Sequence, residues 1–326
     1  MAILVAAGFS ADEWAQWWPL LQAALPGERL LRDRDEIAAS GVAASGVAAS
    51  EVAASEIDIA LVANPSPGSL RDLPALRLIQ SLWAGVDRLL ADASVPAHVP
   101  LARMVDPAMN ETMAQTALWA VLSLHRGFFR YAAQQRAGLW QPHPLRRADE
   151  ITVAVLGLGE MGRAAAQRLV QHGYRVIGWS RRAAVVGGVL AQAGAAALPS
   201  VLPQAQIVVN LLPLTPETRG LFDAAAFAQM PRGAGFVNLA RGAHVVDADL
   251  LAALARGQIG HAVLDVFDTE PLPPAHAFWA HPAVTVLPHI AAPTDPCSAA
   301  AIAARNVRAL REGRPLEHLV DRARGY

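Results

Sequence analysis

The segment Ile151-Thr152-Val153-Ala154-Val155-Leu156 runs without a break into Gly157-Leu158-Gly159-Glu160-Met161-Gly162. No other feature of the chain narrows the choice of fold so far. A short apolar run rich in β-branched residues reads as a buried strand. Residues 160–172, closed by Gly173, read as a helix. Between them three glycines have separate duties. Gly157 permits a tight turn, Gly159 lets backbone approach a pyrophosphate, and Gly162 lets helix pack on strand. The helix N-terminus offers N–H groups to phosphate. Strand, glycine turn and helix within about 30 residues turn a weak motif into a specific dinucleotide signal.

The rest of the chain extends that pattern. The apolar N-terminus reads as a first strand, with further strands expected at 57–62, 76–81, 174–179, 206–212, 234–239, 261–266 and 283–287. Their alternation with helical stretches implies parallel sheets. The expected class is α/β, with two Rossmann-like doubly wound domains. A long helical segment over 107–135 opens after Asp106 as N-cap, with Pro107 in its first turn, and can bridge the domains. A final helix begins after Asp295 and Pro296 and stops at Gly313, returning the chain to the first domain. The substrate domain is therefore expected to be discontinuous, 1–103 plus 295–326, with the dinucleotide domain at 104–294.

Composition mainly excludes. A net charge of −1 argues against general binding to nucleic acid or anionic membrane. The N-terminus lacks a signal-peptide pattern, no apolar run is long enough to span a bilayer, and a cytoplasmic setting is expected. One cysteine, Cys297, allows no internal disulfide and no cysteine metal cluster. All 27 basic residues counted as Lys or Arg are arginine, which removes lysine Schiff-base chemistry and the P-loop lysine. Residues 36–55 repeat a five-residue unit, EIAAS-GVAAS-GVAAS-EVAAS, whose period fits neither helix nor strand. It reads as a surface expansion near a helix end.

The second strand of the nucleotide unit ends in Trp179-Ser180-Arg181-Arg182. An NAD-selective site has Asp or Glu here, bonded to the ribose 2′-hydroxyl. A serine and two guanidiniums suit a 2′-phosphate instead, so NADPH is the expected coenzyme, with NAD possible.

Three charged residues follow at expected strand ends: Arg241 in Asn238-Leu239-Ala240-Arg241-Gly242, Glu270 in Asp265–Leu272, and His289 after Leu287-Pro288. Reduction of a 2-oxoacid needs a proton on the carbonyl oxygen, and imidazole is suited to give it. Glu270 would hold the ring of His289 and favour its protonated form. Arg241 would grip the substrate carboxylate and polarise the carbonyl. In Ser81-Leu82-Trp83-Ala84-Gly85-Val86-Asp87, the Ala84 and Gly85 N–H groups could bind the carboxylate, with Trp83 an apolar wall. Trp279 reads first as core and second as another wall. His276, His281 and His289 lack metal-ligand spacing, and His244 and His261 are uninformative.

These motifs, together with Leu211-Leu212-Pro213-Leu214-Thr215-Pro216-Glu217-Thr218, resemble the D-isomer-specific 2-hydroxyacid dehydrogenases from about Trp83 to Tyr326. The resemblance implies catalysis by Arg241, Glu270 and His289. It implies cofactor contacts on Gly157, Gly159, Glu160, Met161, Gly162, Ser180, Arg181, Arg182, Leu212, Pro213, Thr218, Leu239, Ala240 and Asp265, with Arg241 and His289 also touching the cofactor and Asp265 facing the nicotinamide amide. It also implies a homodimer through the nucleotide-binding domain. Glu270 stands where formate dehydrogenases of this family have glutamine. The Trp179-Ser180-Arg181 strand end and the C-terminal Val320–Tyr326 segment point to reduction of the smallest 2-oxoacids, glyoxylate and hydroxypyruvate. Larger 2-oxoacids, or a dinucleotide-sensing co-repressor role without turnover, are the competing expectations.

Overall fold

A computed structural model describes residues 1–32 and 53–326. Most of the five-residue repeat lies outside them. Two compact units emerge, Met1–Ala108 with Thr294–Tyr326, and Met109–Pro293. The chain thus crosses at 108/109 and 293/294, against the expected 103/104 and 294/295. The first crossing is late because Asp106, almost fully buried, accepts a 2.5 Å bond from Ser298 Oγ and so belongs with the returning segment.

In chain order the first segment contributes β1 (Ala2–Ala7), α1 (Ala11–Ala24), β2 (Arg29–Arg32), β3 (Ile57–Ala63), β4 (Leu78–Ser81), α2 (Asp87–Ala91) and β5 (Leu101–Ala102). Helix α3 (Pro107–Arg126) carries the chain into the second unit, where α4 (Phe128–Arg136) follows. The expected single helix over 107–135 is therefore two. Gly127 separates them with φ +70°, a left-handed geometry that interrupts the helical ladder. Next come β6 (Thr152–Leu156), α5 (Glu160–Gln171), β7 (Arg175–Ser180), β8 (Val189–Ala193), α6 (Leu198–Val201) and β9 (Ile207–Asn210). The unit closes with α7 (Ala224–Gln229), β10 (Ala234–Asn238), α8 (Asp247–Ala255), β11 (Ile259–Leu264) and β12 (Val284–Val286). Helix α9 (Pro296–Arg311), N-capped by Asp295, returns to the first unit.

Among the described residues the first unit has a parallel sheet in the order β2-β1-β3-β4-β5, and the second one in the order β12-β11-β10-β9-β6-β7-β8. Both are doubly wound orders. The strands β3, β4, β6, β9 and β10 are almost wholly buried, as strands covered on both faces must be. In the second sheet the order reverses between β6 and β9. Ligands bind outside the C-terminal strand ends at such a reversal, because the flanking loops diverge there and leave a crevice. Among the described residues no helix is long and apolar enough to cross a membrane, and no group of His, Cys, Asp or Glu could hold a metal ion.

Candidate active site

The turn after β6 lies on that reversal. Gly157 has φ +101°, and a Cβ there would stand 2.5 Å from the Leu211 carbonyl oxygen. A Cβ on Gly162 would sit 1.7 Å from the Gly157 carbonyl oxygen. Both positions are closed to any side chain by backbone. Gly159 differs, since a Cβ there would meet nothing within 4 Å. Its bareness serves no packing need, and it keeps backbone open toward the crevice. Gly159 is also the N-cap of α5 and provides no side-chain cap, leaving the first-turn N–H groups of Glu160, Met161 and Gly162 aimed outward. This cradle fits a pyrophosphate. Arg163, which sequence reading passed over, braces it by donating to the carbonyls of Leu158 and Val185.

At the end of β7, Arg181 and Arg182 are exposed. The Ser180 hydroxyl donates to the Arg182 carbonyl at 2.6 Å, so it must turn away before it can donate to a phosphate. Thr218 likewise donates within its own loop, to the Pro213 carbonyl at 2.8 Å.

The three charged residues converge. His289 Nδ1 lies 2.8 Å from Glu270 Oε2. The other Glu270 oxygen accepts from the Phe267 N–H at 2.9 Å. Burial pushes the Glu270 carboxyl up, but the His289 and Phe267 bonds and the charges of His289 and Arg241 outweigh it and hold it below its ordinary value. It is a carboxylate at neutral pH, so Nδ1 carries the proton of that bond and Nε2 faces outward. His289 is about half exposed, as a group that must reach a ligand has to be. Its backbone is left-handed, φ +57°, a conformation costly for any residue with a Cβ. Asp265 maintains it. Its carbonyl accepts the His289 N–H, and its carboxylate accepts the N–H groups of Ile290 and Ala291 at 2.7 and 2.9 Å. Burial keeps that carboxyl above its ordinary value despite the two N–H donors.

Arg241 follows β10 and donates to the Ala240 carbonyl at 2.7 Å. Gly242 beside it has a purpose the sequence did not reveal. A Cβ there would come within 1.8 Å of the Phe267 backbone, so only glycine lets the Glu270 loop pass close behind Arg241. Under both loops lies a polar cluster with no exposure, Asn210, Asn238 and His244. Nothing in the sequence around His244 marks this buried position.

In the first unit, Trp83, Ala84 and Gly85 form a half-buried turn after β4, pinned by Ser81 Oγ, which accepts the Trp83 N–H at 3.0 Å. The rings of Phe9 and Trp17 pack edge-on against Trp83. Trp279 is not core: it is 52% exposed and hydrogen-bonded to the Pro273 carbonyl. At the C-terminus Arg322 donates to the carbonyls of Pro96 and Val99, packing that segment on its own unit.

A family model described as the NAD binding domain of D-isomer specific 2-hydroxyacid dehydrogenase matches residues 118–291. The chain is 40% identical over 274 residues to a glyoxylate/hydroxypyruvate reductase A of Yersinia enterocolitica, spanning 82% of this chain and 88% of that one. The namesake from Serratia proteamaculans is 42% identical over the same shares. A D-isomer specific 2-hydroxyacid dehydrogenase from Xanthobacter autotrophicus, solved with NADPH and MES, superposes with a TM-score of 0.88 at 41% identity, covering 100% of this chain and 99% of that one. An NADPH-dependent glyoxylate/hydroxypyruvate reductase from Sinorhizobium meliloti, solved with NADP and sulfate, gives 0.88 at 34% identity and the same coverage.

Proposed function

The chain belongs to the D-isomer specific 2-hydroxyacid dehydrogenase family, and from that premise we propose that it reduces small 2-oxoacids with NADPH, glyoxylate to glycolate and hydroxypyruvate to glycerate. The observation that carries this reading is the Glu270–His289 pair, 2.8 Å apart, with the charge of Arg241 bearing on the same carboxylate. When bound, the reduced nicotinamide supplies a hydride to the carbonyl carbon. His289 gives a proton from Nε2 to the carbonyl oxygen as charge develops there. Glu270 holds the ring through Nδ1 and balances the imidazolium before transfer. Arg241 grips the substrate carboxylate and polarises the carbonyl.

The glycine cradle would hold the pyrophosphate, and Arg181 and Arg182 the 2′-phosphate. Leu212, Pro213, Thr218, Leu239 and Ala240 would line the remaining cofactor path. Asp265 retains a lone pair on each carboxylate oxygen for the nicotinamide amide. Trp83 is assigned as an apolar wall, and the Ala84 and Gly85 N–H groups as carboxylate donors, on the strength of the motif. The NADPH and substrate assignments draw support from what the Sinorhizobium and Yersinia relatives are named for. The test is a spectrophotometric assay of purified protein on both oxoacids with NADPH and with NADH. Fast NADPH oxidation with weak NADH oxidation is expected; turnover of neither oxoacid would reject the substrate assignment.

A homodimer completes the reading. On or after α3 and α4, Trp119, Phe128, Leu139 and Leu145 stand exposed, and Trp140 is 99% exposed. Apolar surface of that kind calls for a partner. Light scattering that returns the mass of one chain would remove the dimer.

A further inference from the structure

Strands β9 and β10 are parallel neighbours that end on partnered asparagines, Asn210 opposite Asn238. Asn210 Nδ2 donates to Asn238 Oδ1 at 2.9 Å. Each asparagine then folds the loop that follows its own strand. Asn210 Oδ1 accepts the Leu212 N–H at 3.2 Å. Asn238 Oδ1 accepts the Ala240 N–H at 3.3 Å, and its Nδ2 donates to the Arg241 carbonyl at 2.9 Å. The second N–H of Asn210 points at His244 Nδ1, 2.9 Å away, and His244 Nε2 lies 3.2 Å from the Pro213 carbonyl.

These bonds fix the state of His244. The Leu212 N–H sets the orientation of the Asn210 amide, so Nδ2 is the donor toward His244. Nδ1 must accept, and Nε2 must carry the hydrogen and donate to Pro213. The ring is neutral and bridges the two loops. All three side chains have no exposure. Buried amides and imidazoles at strand ends cost desolvation, and apolar residues would fill the volume more cheaply. What the polar set provides, and an apolar set could not, is a fixed relation between two backbone segments.

We infer that Asn210, Asn238 and His244 are positioning residues that lock the Leu212-Pro213 segment and the Leu239-Ala240-Arg241 segment into one register, so that the cofactor and the carboxylate-gripping arginine are held together. The inference rests on the site reading above. None of the three touches a reacting atom; each acts through the backbone of the segments that would carry the cofactor contacts and Arg241.

The test compares purified H244L and H244Q with the parent. Glutamine can accept from Asn210 through Oε1 and donate to Pro213 through Nε2, whereas leucine can do neither. NADPH dissociation is measured by fluorescence titration without substrate, KM and kcat on glyoxylate, and Tm as a check of folding. H244L is expected to bind NADPH about tenfold more weakly, because a buried donor on Asn210 is left unpaired, and to raise the oxoacid KM; H244Q should recover to within about threefold of the parent. Unchanged NADPH affinity and KM in folded H244L would overturn the inference. So would equal impairment of H244L and H244Q. If H244L does not fold, H244N, too short to reach both partners, gives the same contrast with H244Q. NADPH binding is read without turnover, so a parent inactive on glyoxylate counts against the substrate and leaves the positioning role to the binding measurement.

Discussion

The turn after β6 and the loops after β9 and β10 lie at the same edge of one sheet, yet they are built in opposite ways. The turn owes its shape to missing side chains: a Cβ on Gly157 or Gly162 would run into backbone at 2.5 or 1.7 Å. The loops owe theirs to side chains that are present, two amides and an imidazole, all fully buried. A shape made by omission is a local steric demand. A shape made by hydrogen bonds needs partners brought from elsewhere. The first tolerates no added atom at Gly157 or Gly162; the second tolerates a change of residue only if the donors and acceptors are preserved.

The largest effect should come from a third segment, also shaped by hydrogen bonds, that follows β12 and carries His289. His289→Ala is expected to lower kcat by about 10²–10⁴-fold while NADPH still binds. Near-normal turnover by this variant would remove the proton-transfer assignment.

The glycines sharpen the contrast from the other side. Gly162→Ala should overpack the turn and cost about 1–3 kcal/mol of stability. Gly159→Ala meets open space, so its melting temperature should match the parent while NADPH affinity falls. Equal NADPH affinity in Gly159→Ala and the parent would show that the bare backbone there serves no ligand.

A smaller effect is expected where the turn meets the end of β7. Removing both arginines, Arg181→Ala/Arg182→Ala, should reduce the NADPH-over-NADH ratio of kcat/KM by about tenfold, the worth of one charge-assisted hydrogen bond. An unchanged ratio would return both residues to ordinary surface.

A separate effect concerns stability away from the site. His261 stacks on Phe129 with ring centroids 4.2 Å apart and bonds to Thr285 Oγ1. Burial first, and then the charge of His281, lower it from 6.5 to about 4. Below pH 6.5 the unfolded chain takes up a proton that the folded ring refuses until about pH 4. Stability is therefore full above that window and declines as pH falls through it, by about 1–3 kcal/mol. His261→Gln should flatten this part of the curve; parallel melting curves for parent and variant from pH 6.5 to 4 would refute it.

Much of this was legible beforehand, for a physical reason. Strand β6, its turn and α5 stand within two residues of their expected bounds because periodicity and glycine sterics act over a few neighbours. Errors arose where a side chain overrode the pattern. The strand expected over 206–212 stops at Asn210, whose amide turns the chain. The helix expected over 107–135 breaks at Gly127. Glu270 and His289 could be singled out by their chemistry. The grip of Asp265 on the His289 bend could not, because its two N–H donors come from 25 and 26 residues away.

The amino-acid sequence by itself determined the α/β class, the glycine turn and the choice of Arg241, Glu270 and His289 as the side chains to examine, since each depends on residue type and short-range spacing. Tertiary structure alone decided that Gly242 would make room for the Glu270 loop and that His244 would bridge two loops. Those roles depend on strand register, which sets residues 28 and 34 positions apart within hydrogen-bonding distance.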